Sequence, residues 1–254
     1  MRATPIVGHG SDAGRVRSLN EDYHRVSRYP LPRGSLYLYA VADGMGGAAA
    51  GEVASKMAVE VLDDAVGRYA EQLAAGDRVV AVGTMLDKAM RLANRRVHAA
   101  AQSEARRGMG TTLTCAAVLD DKAYLAHVGD SRAYLVRRGI IYQLTKDHSW
   151  VEEQLEKGLL TPQEAESHEW RNLVTRVLGT RPQVVPDLVE TDLQPGDVLV
   201  LASDGLHGQV KPEEILTELK RTRDRSLVVE YLIGLANERG GPDNITCVVV
   251  EVPA

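Results

Sequence analysis

The stretch TLTCAAVLDDKAYLAHVGDSRAYLVRRGIIYQL, residues 112–144, decides the fold. It divides into four β-prone runs, 112–119, 122–128, 132–136 and 140–144. Asp120-Asp121 and Arg138-Gly139 punctuate two of the turns between them. Consecutive hairpins of this kind build an antiparallel sheet, not the regular β-α-β alternation of a doubly wound one.

Working outward, residues 35–42 (SLYLYAVA) form an apolar, β-prone run that enters Asp43-Gly44-Met45-Gly46-Gly47, which reads as a buried strand leading into a Gly-rich turn. Residues 51–69 place Val53, Met57, Val61, Leu62 and Val66 at helical spacing. A second helix is expected over roughly 78–105, with Val82, Met85, Leu86, Ala89, Leu92, Ala93 and Val97 on one side. Beyond the hairpins, residues 148–180 are highly charged with little apolar periodicity, and read as a surface excursion with short helical pieces. Residues 197–203 (DVLVLAS) are a further buried strand and 211–220 a helix with Pro212 in its first turn. A helix over 226–238 stops at Gly240-Gly241, and 245–252 is a terminal strand. Hairpins with helices grouped in pairs give an α+β fold. Without an internal repeat or a Pro- or Ser-rich linker, residues 1–254 read as a single domain.

Composition narrows the function classes. The hydrophobic fraction of 44% and charged fraction of 26% are those of an ordinary globular protein. The net charge of −5 gives no electrostatic reason to expect nucleic acid or an anionic membrane as a partner. No apolar run reaches membrane-spanning length, and the first residues lack the apolar core of a signal peptide, so a cytoplasmic location is the expectation. Cys115 and Cys247 sit inside apolar runs and read as buried, reduced thiols.

The chemistry points to aspartates. Three apolar strands end in Asp beside a small residue: Asp43-Gly44, Asp130-Ser131 and Asp204-Gly205. A fourth, Asp243, immediately precedes a strand. Singly, each Asp-Gly is a common turn pair. Together, carboxylates at strand mouths would repel one another unless divalent cations sat among them. An all-oxygen donor set favours Mg²⁺ or Mn²⁺, and no His or Cys pair has zinc spacing. Near the N-terminus, Arg17 lies close to Glu21-Asp22. By itself this is a polar loop with a local ion pair; beside a metal site, the planar guanidinium suits a phosphate.

In order and spacing these segments resemble the PPM family of metal-dependent protein Ser/Thr phosphatases (protein phosphatase 2C-like), in its compact bacterial form. The matching stretches are Val16-Arg17-x-x-Asn20-Glu21-Asp22, Val41-Ala42-Asp43-Gly44-Met45-Gly46-Gly47 with Gly51-Glu52-Val53-Ala54-Ser55, Gly110-Thr111-Thr112, Val128-Gly129-Asp130-Ser131-Arg132 and Asp147-His148-Ser149. They continue with Arg171-Asn172 to Gly179, Ser203-Asp204-Gly205-Leu206 and Asp243-Asn244-Ile245-Thr246. The resemblance covers nearly the whole chain.

It implies a four-layer α-β-β-α sandwich with two central antiparallel sheets, and hydrolysis of phosphoserine and phosphothreonine in proteins by a metal-activated water. Asp43 is implied to bridge two metals, with the Gly44 carbonyl on one of them and Asp204 and Asp243 completing the ligands of the second metal. Asp130 is implied to hold a third, weaker metal with Asp204, within reach of Ser167 in a flap over about 148–180. Glu21 and Asp22 are implied to hold waters around the metals, and Arg17 to bind the substrate phosphate. The implied partners are phosphorylated proteins, including a bacterial Ser/Thr kinase and its targets, met by a monomer. Four positions depart from the family pattern. Ala48 stands where many relatives have His, Met45 stands where animal relatives carry a proposed general acid, His207 replaces a small polar residue, and His168-Glu169 replaces His-Pro. Two other readings remain: a metal phosphohydrolase of a small molecule, and an inactive phosphatase-like binding module. The remaining histidines, His9, His24, His98, His127 and His148, read as hydrogen-bonding residues.

Overall fold

The computed structural model describes residues 4–46 and 50–253; Ala48, one of the departures noted above, lies outside them. The strands are β1 Ile6–Asp12, β2 Asp22–Pro30, β3 Ser35–Met45, β4 Gly110–Thr111, β5 Leu113–Leu119, β6 Lys122–Val128, β7 Arg132–Arg137, β8 Ile140–Gln143, β9 Asp187–Asp192, β10 Val198–Ala202 and β11 Ile245–Glu251. The α-helices are α1 Ala50–Ala75, α2 Val82–Ala100, α3 Trp150–Glu156, α4 Pro162–Ser167, α5 Asp204–His207, α6 Pro212–Arg221 and α7 Arg225–Glu238. One sheet runs β1-β11-β10-β7-β8. The other runs β2-β3-β5-β6-β9, with β4 paired to the end of β3. All named pairings are antiparallel.

Period-two alternation explains the layering. Along β3, Leu36, Leu38, Ala40 and Ala42 pack against α1 and α2, while Tyr39 and Val41 face the other sheet. Along β10, Val198, Val200 and Ala202 pack toward α6 and α7, while Leu199 and Leu201 face inward. A strand covered on both faces reads as a continuous apolar run, which is why these strands are visible in the sequence. The three apolar layers — helix pair on sheet, sheet on sheet, sheet on helix pair — make the four-layer α-β-β-α sandwich. Cys115 and Cys247 lie in the two different outer layers, each facing helices, both free and buried, and burial pushes each thiol up to about 12.

Four strands escape the sequence reading: β1, β2, β9 and the two-residue β4. The first three are sheet edges. Their exposed faces carry polar side chains, so neither alternation nor apolar density stands out. On β2, Arg25, Ser27 and Tyr29 all donate to the Asp63 carboxylate of α1, pinning the edge strand to the helix layer. Asp43-Gly44-Met45, expected as a turn, instead continues β3, because β4 supplies a partner (Gly44 opposite Thr111).

The topology delivers the strand-end aspartates to one end of the sandwich. β3 and β10 run toward that end, and β2 and β11 start from it. Asp22 sits directly opposite Asp43 in the β2–β3 ladder.

Candidate metal centre

The Asp43 backbone is held from both sides. Its N–H donates to Thr112 Oγ1 (2.9 Å), and its carbonyl accepts from the Thr112 N–H (2.9 Å) and the Thr111 hydroxyl (2.9 Å). Asp22 is buried, and its Oδ2 accepts from the Ser203 hydroxyl of the other sheet at 2.7 Å. Ser203 Oγ in turn accepts from the Thr246 N–H (2.9 Å), so one hydroxyl ties β2, β10 and β11 together at the site.

The glycines after the aspartates make room for protein backbone. A Cβ on Gly44 would lie 2.2 Å from the Gly51 carbonyl oxygen at the start of α1, and one on Gly205 would lie 2.0 Å from that of Asn244. Asp-Gly at these strand ends is therefore a close-packing requirement. The turn chemistry common to such pairs is not its cause.

Asp204 opens α5 and Asp243 precedes β11. Arg17 Nη2 donates to Asp243 Oδ2 at 2.7 Å. The ion pair expected to be local to the N-terminal loop is thus made across 226 residues of chain. Asn244 organises this loop: its Oδ1 accepts from the Glu21 N–H, and its Nδ2 donates to the carbonyls of Ala13 and Leu19. The Glu21 carboxylate accepts from the Gly51 N–H (3.1 Å) near the start of α1, and its carbonyl accepts from the Gly44 N–H and the Ser55 hydroxyl.

Asp130 is buried and follows β6. His207 Nε2 meets its carbonyl at 2.9 Å. Burial holds His207 down at about 4, so the neutral ring donates there. His207, a departure in the sequence, thus positions Asp130, and only the tertiary structure reveals the contact. His127 bridges Thr114 and the Lys146 carbonyl, and His148 accepts from the Gly129 N–H. These hydrogen-bonding roles agree with the sequence expectation. Ser167 is exposed. Its hydroxyl donates back to the Gln163 and Glu164 carbonyls of its own helix, and among the described residues no hydrogen bond joins it to Asp130.

The electrostatics show what the cluster lacks. Burial first, then neighbouring carboxylates, pushes Asp43 well above the ordinary carboxylate range, with Asp22 and Asp204 as its nearest acidic neighbours. Asp22 rises to about 7 and Asp130 to about 8 for the same reasons, and Asp204 rises as well. Asp204 raises Asp43 further, so the pair holds a proton more readily than isolated carboxylates do. Oδ1 of Asp22 and Oδ1 of Asp204 are buried without a hydrogen-bond partner. Crowded, proton-loaded carboxylates with orphaned oxygens are the donor set of a hard divalent cation. Among the described residues no three acidic, His or Cys side chains close around a single point.

The chain is 39% identical over 242 residues to protein phosphatase PhpP of Streptococcus pneumoniae, covering 95% of each chain. It is similar to the Mycobacterium tuberculosis serine/threonine phosphatase PstP/Ppp (TM-score 0.85, 37% identity, 98% of this chain and 99% of that one). It is also similar to a PstP catalytic domain solved in complex with two manganese ions (TM-score 0.81, 36% identity, 99% and 100% covered). A family model described as protein phosphatase 2C matches residues 9–238. The chain belongs to the protein phosphatase 2C family.

Proposed function

We propose that this protein hydrolyses phosphoserine and phosphothreonine in proteins with Mn²⁺ or Mg²⁺ at the aspartate end of the sandwich, as one catalytic domain spanning 1–254 with a flap over about 148–180. The observation that carries the reading is the set of buried, proton-loaded carboxylates with unpartnered Asp22 and Asp204 oxygens. Manganese in the related PstP domain supports the choice of cation.

In this reading Asp43, the Gly44 carbonyl, Asp204 and Asp243 would together hold two cations. Asp130 with Asp204 offers a third, looser position, toward which Ser167 would have to turn. When bound, divalent cations lower the pKa of water and neutralise charge on the phosphoryl oxygens. The chain supplies the rest. Glu21, fixed by Asn244 and Gly51, and Asp22, fixed by Ser203, are rigid acceptors that orient water. Arg17 uses one N–H on Asp243, leaving other donors of its planar fork for the phosphate. Met45 occupies the place of a proton donor, so the leaving oxygen takes its proton from solvent held at the site. Both cysteines are buried with raised thiols, so no cysteine nucleophile takes part. Phosphoproteins, a bacterial Ser/Thr kinase among them, are the proposed partners of a cytoplasmic, monomeric signalling enzyme. Among the described residues no helix is long and apolar enough to cross a membrane.

Manganese-dependent hydrolysis of a phosphothreonine peptide tests the assignment. Asp43→Asn and Asp204→Asn should each lower kcat/KM by about 10³-fold or more, equivalent to about 4 kcal/mol of transition-state stabilisation. Neither should lose stability without metal, since each removes a member of a self-repelling cluster. Full turnover in either variant would end the proposal. Turnover of nucleotides or sugar phosphates in preference to phosphopeptides would redirect it to a small-molecule phosphohydrolase.

A further inference from the structure

Beside the carboxylate end stands a feature to which the proposed chemistry gives no role. Trp150, His168 and Trp170 form one aromatic cluster on the flap. The Trp150 ring lies 4.7 Å, centroid to centroid, from both His168 (35°) and Trp170 (82°, edge on), and His168 lies 5.7 Å from Trp170. The cluster is built. The Trp170 backbone N–H donates to His168 Nδ1 (3.1 Å), and the Trp150 backbone N–H donates to the Leu173 carbonyl (2.8 Å). Trp170 nevertheless leaves 47% of its surface in water.

The roots of this segment are fastened at the site. The His148 N–H donates to the Gly129 carbonyl (2.7 Å), one residue from Asp130, and Leu178 exchanges hydrogen bonds with Thr111 beside the Asp43 carbonyl. Trp150, two residues past His148, therefore stands a few residues from the carboxylates.

The surrounding charge is one-sided. Residues 149–171 carry six Glu against one Lys and one Arg, a net −4 within a chain whose total is −5. Glu169, next to Trp170, is exposed, and no ion pair is seen for it among the described residues. An exposed indole face in a negative field, fixed by its neighbours, is a seat for a cation.

We infer that the Trp150–His168–Trp170 cluster and Glu169 form a specificity subsite that takes a Lys or Arg side chain flanking the phosphorylated residue. The substrate class is then phosphoserine and phosphothreonine sites with a basic neighbour. The inference rests on the phosphatase reading and deepens it. The field repels a second acidic group on the peptide, while the indole face rewards a cation by direct contact. A basic residue is therefore favoured over an aliphatic one as well as over an acidic one.

Three phosphothreonine peptides differing only in Arg, Leu or Glu at positions two to four residues from the phosphate, with p-nitrophenyl phosphate as a flankless substrate, test this. The Arg peptide should exceed the Glu peptide in kcat/KM by about tenfold, the scale of one cation–π contact with a screened attraction. Trp170→Ala should remove most of that preference, Trp170→Phe should keep it, and Glu169→Lys should narrow it. All three variants should turn over p-nitrophenyl phosphate as the unchanged protein does. Salt should shrink the Arg-over-Glu ratio more than the Arg-over-Leu ratio. Equal rates on the three peptides, a Leu peptide as good as the Arg peptide, or a Trp170→Ala loss equal on every substrate would overturn the subsite while leaving the phosphatase reading intact. No hydrolysis of any of the four substrates would overturn both.

Discussion

The carboxylate end and the flap between its roots are built on opposite principles. At the carboxylate end almost every stabilising contact is made across great distances in sequence. Ser203 reaches Asp22, Arg17 reaches Asp243, Asn244 reaches Glu21, and Thr112 reaches Asp43. The flap helices are held locally. Ser149 caps α3 by accepting from the Glu152 N–H, and Thr161 with Glu164 forms a capping box on α4. Charges that repel one another need a scaffold that both sheets over-determine. A recognition surface needs only self-contained turns on firm roots, so its residues can vary without disturbing the chemistry.

Breaking the carboxylate end should give the largest effects, led by the loss of activity already expected for Asp43→Asn and Asp204→Asn. Next comes Gly205→Ala, whose new Cβ meets the Asn244 carbonyl oxygen at 2.0 Å and must displace backbone shared by Asp204 and Asp243. We expect a loss of about 3–5 kcal/mol by chemical denaturation, together with weaker manganese binding by calorimetry.

A smaller effect separates the two regions by pH. Asp22 and Asp130 have folded-state pKa values raised to about 7 and about 8, so the metal-free folded state holds protons that the unfolded chain has already released. Stability contributed by those protons is present at lower pH and is lost as pH rises through 7 to 8. The depressed histidines, His24, His127 and His207 at about 4, act oppositely, but only between about 4 and 6.5. Metal-free protein should therefore lose on the order of 1 kcal/mol between pH 7 and 8. Asp130→Asn should flatten that slope, and added Mn²⁺ should reverse it while releasing protons. A slope unchanged in Asp130→Asn would show that the cluster is not its source.

The smallest effect belongs to the flap. Thr161→Ala removes the cap of α4 at a local cost of about 1 kcal/mol. Amide exchange should quicken around residues 161–168, while the global melting temperature and p-nitrophenyl phosphate turnover stay put. A global drop would show that the flap and the sandwich unfold as one.

How much was legible in the sequence follows from which contacts are local. The buried strands β3, β5, β6, β10 and β11 announced themselves because both faces are covered. The edge strands β1, β2 and β9 did not, because one face carries the polarity of a loop. Asp43, Asp130, Asp204 and Asp243 could be picked out because each abuts an apolar run, and order along the chain gave the family. The role of His207, the link from Arg17 to Asp243, and the packing reason for the glycines were not legible, since each rests on a contact between separate elements that local pattern does not encode.

By itself the sequence determined the residue types, their order, the all-oxygen donor chemistry and the apolar periods of an α+β fold built on hairpins, with the two-sheet sandwich implied by the family resemblance. Only the tertiary structure decided that four separate strand ends meet, because convergence is a property of sheet register and of the face-to-face packing of two sheets, neither of which local pattern encodes. The same packing removes water from the carboxylates. Burial, more than their mere presence, raises their proton affinity and leaves Asp22 and Asp204 with oxygens in need of a cation.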